Sequence, residues 1–179
     1  CGMEMLNTKV VLVRRPSGMA TPDCFAVASE ALDALADGQI RVAVEFVSVD
    51  AGTRTMLRGE GFHQQVGIGQ VIRASAVGRV IESAAEGWTV GDAVRGGFGA
   101  QTVATARPRS VERIDDSVAP LSAHLGVLGG STGITAWVGV RQVAKPQPGE
   151  IFVVSAAAGA VGSLAGQIAK RDGARVIGI

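Results

Sequence analysis

The sequence has no tyrosine, only two cysteines and two histidines, and almost no excess of charge of either sign. Each shortage closes a class of function. Cys1 and Cys24 lack the spacing of a metal knuckle, and a chain of this length does not need a disulfide scaffold. Cys24, His63 and His124 are scattered, with no ligand-spaced pair among them, so no metal site is expected, and no catalytic zinc in particular. Lys and Arg number 17 against 16 Asp and Glu, a formal net charge of +1, and no basic run marks a nucleic-acid or anionic-membrane partner. No apolar run reaches the roughly 18 residues of a membrane span, and no signal-peptide pattern opens the chain. A cytoplasmic protein with neither nucleic-acid nor membrane partners is the expectation.

What is present is apolar. Hydrophobic residues make up 47% and charged residues 18% of 179 residues, which predicts a packed globular protein: one well-buried domain, or one plus part of another. The first two thirds read as β-rich. Lys9–Val13 is a short strand, and Ile40–Val49 alternates with the period of a half-buried strand. Val71–Ile81 is strand-like but broken by Gly78, and Gly91-Asp92-Ala93-Val94 and Ala100–Ala104 add short strands between glycine-rich turns. A small barrel or sandwich is expected there.

The pattern then changes. Ala119–Leu128 has helical spacing, and Gly133–Val143 can form a second helix stopped by Pro146 and Pro148. Ile151–Ser155 is a continuous apolar run, as in a strand buried on both faces of a parallel sheet. A turn of small residues, a helix from about Val161 to Arg171 closed by Gly173, and a second strand over Ala174–Ile179 complete a β-α-β unit. One such unit cannot cover both faces of its sheet, so the chain is expected to be part of something longer.

The turn carries the chemistry. Ala157-Ala158-Gly159-Ala160-Val161-Gly162 is the G-x-G-x-x-G dinucleotide fingerprint with alanine in its first position. Position 157 must be small for the tight turn. Gly159 lets bare backbone approach a pyrophosphate, and Gly162 lets the helix pack closely. The helix N-terminus then offers free N–H groups and the positive end of its dipole to the anion. Gly159, Ala160, Val161 and Gly162 are the candidate cofactor-binding residues. The residue that separates NAD from NADP falls about 20 residues past the glycines, beyond Ile179, so the fingerprint itself leaves that choice open.

Two other patterns carry less. Gly129-Gly130-Ser131-Thr132-Gly133 matches the G-x-S-x-G elbow of hydrolases, but a helical segment precedes it and both histidines come earlier in the chain. A glycine-rich loop with Ser131 or Thr132 as a helix N-cap is the better reading. Asp50 and Arg54, four residues apart after the long strand, form either a surface ion pair or the wall of a pocket.

Leu128-Gly129, Gly133-Ile134-Thr135-Ala136-Trp137, the block Ala156–Lys170, and Ser48-Val49-Asp50 with Arg54 together resemble the zinc-independent medium-chain dehydrogenase/reductases. Within these the chain is most similar to the prostaglandin reductase, alkenal double-bond reductase and curcumin reductase branch. Gly91–Val94 and Phe98-Gly99-Ala100-Gln101 add to the likeness, which runs from about Asn7 onward. The resemblance implies a β-rich GroES-like substrate domain over 7–125. Over 126–179 it implies connecting helices and the first β-α-β unit of a Rossmann, doubly wound α/β domain. It further implies hydride transfer from NADP(H), with NAD(H) left open and no zinc, to the β-carbon of an α,β-unsaturated ketone or aldehyde; the enolate then takes a proton.

Asp50, Gly52 and Arg54 are the substrate-pocket residues implied by position. Gly52 stands where the family often has a tyrosine, so the wall is expected to be more open, and the loop Gly129–Gly133 is a residue longer than is common. No catalytic residue is assigned, because the family tyrosine near the substrate carbonyl and the lysine for the 2′-phosphate would follow Ile179. The chain alone is therefore expected to be inactive as a reductase. Partners are a small-molecule enone, enal or quinone, with a homodimer left open. Two alternatives stand beside the enone reductase: a quinone oxidoreductase of the same superfamily, and a non-catalytic GroES-like module.

Overall fold

A computed structural model describes residues 5–59 and 64–179, so the expectations placed on Cys1 and His63 lie outside the described residues. The chain divides into two units, Cys1–Leu121 and Ser122–Ile179.

In the first unit, β1 (Leu6–Leu12) and β2 (Phe25–Ala31) form an antiparallel ladder running from Leu6↔Ala31 to Leu12↔Phe25. β3 (Ile40–Val47) is followed by helix α1 (Ala51–Arg58), then β4 (Ala76–Ser83), β5 (Ala93–Gly96), β6 (Val103–Ala106) and β7 (Val111–Arg113). These strands make a five-stranded antiparallel sheet of order β6-β3-β4-β5-β7. Val10 donates to the Ala100 carbonyl and Ile72 to the Val10 carbonyl, both at 2.9 Å. Those bonds join β1 to the loops of the larger sheet.

The alternation of β3 places Ile40 and Val42 in a core with Val80, Val94 and Phe98. Leu12, Leu57, Val66 and Ile72 form a second cluster involving α1. Arg41, on the other face of β3, is also buried. It meets its cross-strand partner Glu82 at 2.6 Å and donates to the Asp33 carbonyl.

Several strand expectations change. Val71 makes only an isolated bridge to Val11, and the strand begins at Ala76. Gly78 does not break it. β3 bulges opposite, between Val44 and Phe46, and a Cβ at Gly78 would lie 1.9 Å from the Ala43 carbonyl oxygen. The glycine is the price of that close approach. β2 and β7 have no counterpart in the sequence reading.

Ala119–Leu128 is not an α-helix: a short 3₁₀ turn, Leu121–His124, gives way to turns through Gly126, Gly129 and Gly130. Helix α2 (Gly133–Val138) runs on into a π-helical stretch, Gly139–Ala144, that ends at Lys145 in a left-handed conformation before Pro146. β8 (Ile151–Val154), helix α3 (Ala160–Arg171) and β9 (Arg175–Gly178) form the parallel β-α-β unit, with Ile151↔Arg175 and Val154↔Gly178 in register. Phe152, Val154 and Val176 face a core of Ala136, Val140, Ala165 and Ala169. β8 is covered on that face only: Ile151 and Val153 are 61% and 56% exposed, where burial on both faces was expected.

Candidate functional site

The turn after β8 is held by two main-chain hydrogen bonds around one strained residue. Ala156 takes the left-handed conformation, φ +48°, where a side chain is disfavoured. Gly159 donates to the Ala156 carbonyl at 2.8 Å, closing the turn. Ala157 donates to the Ile179 carbonyl at 3.2 Å, tying the turn to the end of β9.

Helix α3 starts immediately. Its N-cap is Gly159, which has no side chain to accept from the first amides, and the first helical bond runs from Ser163 to the Gly159 carbonyl at 2.9 Å. The amides of Ala160, Val161 and Gly162 therefore have no acceptor within the helix. No acidic residue lies in the first turn, so nothing there opposes the positive end of the helix dipole. Residues 158–161 are exposed. The arrangement can bind an anion through main-chain N–H groups.

The two glycines do different jobs. A Cβ at Gly162 would lie 2.2 Å from the Ala156 carbonyl oxygen, so this glycine is what lets α3 sit against the turn. A Cβ at Gly159 would lie 3.1 Å from the same oxygen, tight but not impossible. Protein packing explains Gly162 in full and Gly159 only in part. A bare Gly159 suits the N-cap of α3 and also leaves main chain open to a ligand, and in this sense the residues present fit a dinucleotide pyrophosphate.

A second feature lies in the first unit. An apolar cavity of about 340 Å³ is walled by Val10, Phe25, Leu57 and Ile72, with Ser48, Asp50, Thr53 and Arg54 supplying its polar part. Asp50 is the N-cap of α1: its carboxylate accepts from Gly52 N–H at 3.1 Å and from the Ser48 hydroxyl at 3.2 Å. Arg54 does not pair with it. Its guanidinium donates to the Gly18 carbonyl at 2.6 Å and to Met19 Sδ at 3.7 Å. Asp50 and Arg54 thus share a cavity wall without forming the ion pair that their spacing allows. Gly52 sits in the first turn of α1 and is not among the residues lining that cavity.

The hydrolase-like pattern has no strand before it. Cβ atoms at Gly129 and Gly133 would lie 2.6 Å from the Leu125 and 1.9 Å from the Val127 carbonyl oxygens, so packing explains both. Thr132 stands at the N-cap of α2 but its side chain makes no capping bond. His124 is buried beside that loop, and Cys24 is buried and free. Among the described residues no cluster of His, Cys, Asp or Glu could hold a metal ion, and no helix is long and apolar enough to cross a membrane.

A curled antiparallel sheet followed by a parallel β-α-β unit with a glycine turn is the architecture of the N-terminal part of a medium-chain dehydrogenase/reductase. Residues 8–114 match the family model for the N-terminal domain of oxidoreductases, and the chain belongs to that family, in its zinc-independent branch. It is 33% identical over 174 residues to the NADPH-dependent curcumin reductase of Escherichia coli, covering 97% of this chain and 50% of that protein. The 2-alkenal reductase (NADP(+)-dependent) of Nicotiana tabacum is 32% identical over 181 residues, covering 98% and 52%. CurA from Vibrio vulnificus superposes with a TM-score of 0.83 at 34% identity over 96% of this chain and 51% of that one. The same protein in complex with NADPH gives a TM-score of 0.79 at 30% identity over the same shares. The chain thus spans about half the length of the relatives it matches.

Proposed function

We propose that the protein is an NADPH-dependent reductase of the C=C bond of α,β-unsaturated ketones or aldehydes, to which this chain contributes the pyrophosphate loop and one substrate cavity. The observation that carries the proposal is the turn Ser155–Gly162, where three exposed first-turn amides without an acceptor in the helix follow a glycine at the N-cap. The names of the curcumin and alkenal reductases, and the NADPH complex of CurA, support the choice of cofactor and of substrate class.

Bound NADPH would supply the hydride. The chain's own residues bind and orient. The amides of Ala160, Val161 and Gly162 hold the pyrophosphate, and Gly159 keeps the main chain bare beside it. Phe25, Leu57 and Ile72 give the substrate cavity apolar walls that suit the hydrocarbon part of an enone or enal.

Titration of the chain with NADPH, followed by the intrinsic fluorescence of Trp88 and Trp137, tests the cofactor reading. Saturable quenching is expected; a response no larger than that of a free tryptophan control would overturn it and favour a non-catalytic module. Chemical shifts at Phe25, Leu57 and Ile72 test the substrate reading. They are expected to move with an aliphatic enone, and movement with a quinone alone would favour a quinone oxidoreductase.

A further inference from the structure

We infer that Gly178, sixteen residues beyond the fingerprint, is a positioning residue for the pyrophosphate loop, and that it is the counterpart of alanine in the fingerprint's first position. The inference rests on the dinucleotide reading of that loop.

The end of β9 and the start of the turn touch. Gly178 pairs with Val154, the last residue of β8, and the next residue, Ile179, both accepts from Ala157 and donates to the Val154 carbonyl. A Cβ on Gly178 would lie 2.6 Å from the Cβ of Ala157. Real Cβ atoms do not approach so closely, and neither can rotate away, because each is fixed to its backbone. Gly178 is not among the glycines with positive φ, so its backbone does not itself demand glycine. The absence of a side chain is used for space, and the space is taken by Ala157.

Ala157 stands where the fingerprint usually has glycine. One methyl group therefore fits between the turn and β9, and the sequence places it on the turn. A second methyl, at 178, would have to push the turn outward. The turn also meets Gly162, where a Cβ would lie only 2.2 Å from the Ala156 oxygen. The turn is gripped between two glycines, one on α3 and one on β9. Displacing Ala157 therefore disturbs Ala156 and the N-cap Gly159 bonded to it, from which α3 and its first amides start. Gly166 gives a contrast: a Cβ there would meet Val176 at 3.4 Å and Val154 at 3.8 Å, ordinary contact away from the turn.

The test compares the wild-type chain with Gly178→Ala, Ala157→Gly, the double variant Ala157→Gly/Gly178→Ala and the control Gly166→Ala. Two quantities are read on each: NADPH affinity, and amide hydrogen exchange at 157–162 in the free protein. Gly178→Ala is expected to weaken NADPH about tenfold and speed exchange of the turn by a similar factor, while the double variant recovers most of both, as a direct contact requires. Gly166→Ala is expected to change neither by more than about twofold. Unchanged exchange in Gly178→Ala, or a double variant as impaired as Gly178→Ala, would overturn the inference. If Gly178→Ala does not fold, the double variant decides: recovery of the fold supports the contact, and failure overturns it. If the wild-type chain binds no NADPH but exchange follows the expected pattern, the positioning pair stands and the cofactor reading falls.

Discussion

At the scale of single residues, the glycines of the turn separate packing from binding. Gly162→Ala brings a methyl group to 2.2 Å from the Ala156 oxygen, and the expected cost is an overpacking penalty of about 1–3 kcal/mol together with loss of NADPH affinity. Gly159→Ala meets its nearest neighbour at 3.1 Å, so it is expected to lower NADPH affinity while leaving the urea midpoint close to wild type. Equal losses of stability in the two variants would show that Gly159 too is there for packing. Asp92 poses a separate question of charge. The Thr89 amide, at 3.0 Å, and then the Arg113 guanidinium, at 2.7 Å, hold its carboxyl below the usual carboxylate range. The unfolded chain therefore takes up this proton more readily than the folded one. The stability it contributes is fully present above the ordinary value of 3.8 and is lost as pH falls through the lowered one. Asp92→Asn is expected to lower the urea midpoint near pH 7 and to narrow its gap to wild type in acid; parallel curves would exclude this role. The glycine spacing made the turn legible in the sequence. The separate duties of Gly159 and Gly162 were not, because they depend on where the Ala156 carbonyl points.

Elements were legible where one period dominated. β3 alternates over eight residues, and β8–α3–β9 switches from an apolar run to helical spacing and back. β2 was hidden because Val27, its one large aliphatic residue, is 73% exposed and its ladder is fixed by β1 rather than by a buried face. β7 has only three residues. The helix expected over Ala119–Leu128 had the right spacing, but Gly126 and the glycines just beyond Leu128 favour turns. Asp50 and Arg54 had the spacing of an ion pair, yet capping α1 and binding the Gly18 carbonyl claimed their polar atoms first. The end of α3 shows a similar competition. Asp172 is its C-cap, where a negative charge opposes the helix dipole, and a two-bond pair from Arg141 at 2.6 and 2.9 Å holds that carboxyl below its usual range. Removing the cation leaves the unfavourable charge behind, whereas removing the carboxylate does not. Arg141→Gln is therefore expected to lower the melting temperature more than Asp172→Asn, with high salt shrinking the difference. The reverse order would mean that the pair does not anchor α3 to the π-helical stretch.

At the scale of the whole molecule, the two units are built from different materials. The first packs Leu12, Ile40, Val42, Leu57, Val66 and Val80, each side chain worth about 1.5–3 kcal/mol when fully buried. The buried core of the second is alanine with a single valine, Val140, and the outer face of its two-stranded sheet leaves Ile151, Val153 and Ile177 exposed. The fully buried side chains of the second unit are the smaller ones, so it is expected to open first. Each unit carries its own tryptophan. Trp88 packs against the core of the first unit under the Arg113 guanidinium, 4.4 Å from its ring centre, and Trp137 lies on α2 in the second. Trp137→Phe and Trp88→Phe therefore leave single reporters, one per unit. The Trp137 signal is expected to melt at the lower temperature. NADPH at a hundred times its Kd adds about 2.7 kcal/mol to the unit that binds it, so it should raise the Trp137 transition and leave the Trp88 transition in place. Transitions that coincide, or that move together with NADPH, would mean that the chain unfolds as one cooperative body. The stability of the small β-α-β unit would then be set by more than its own core.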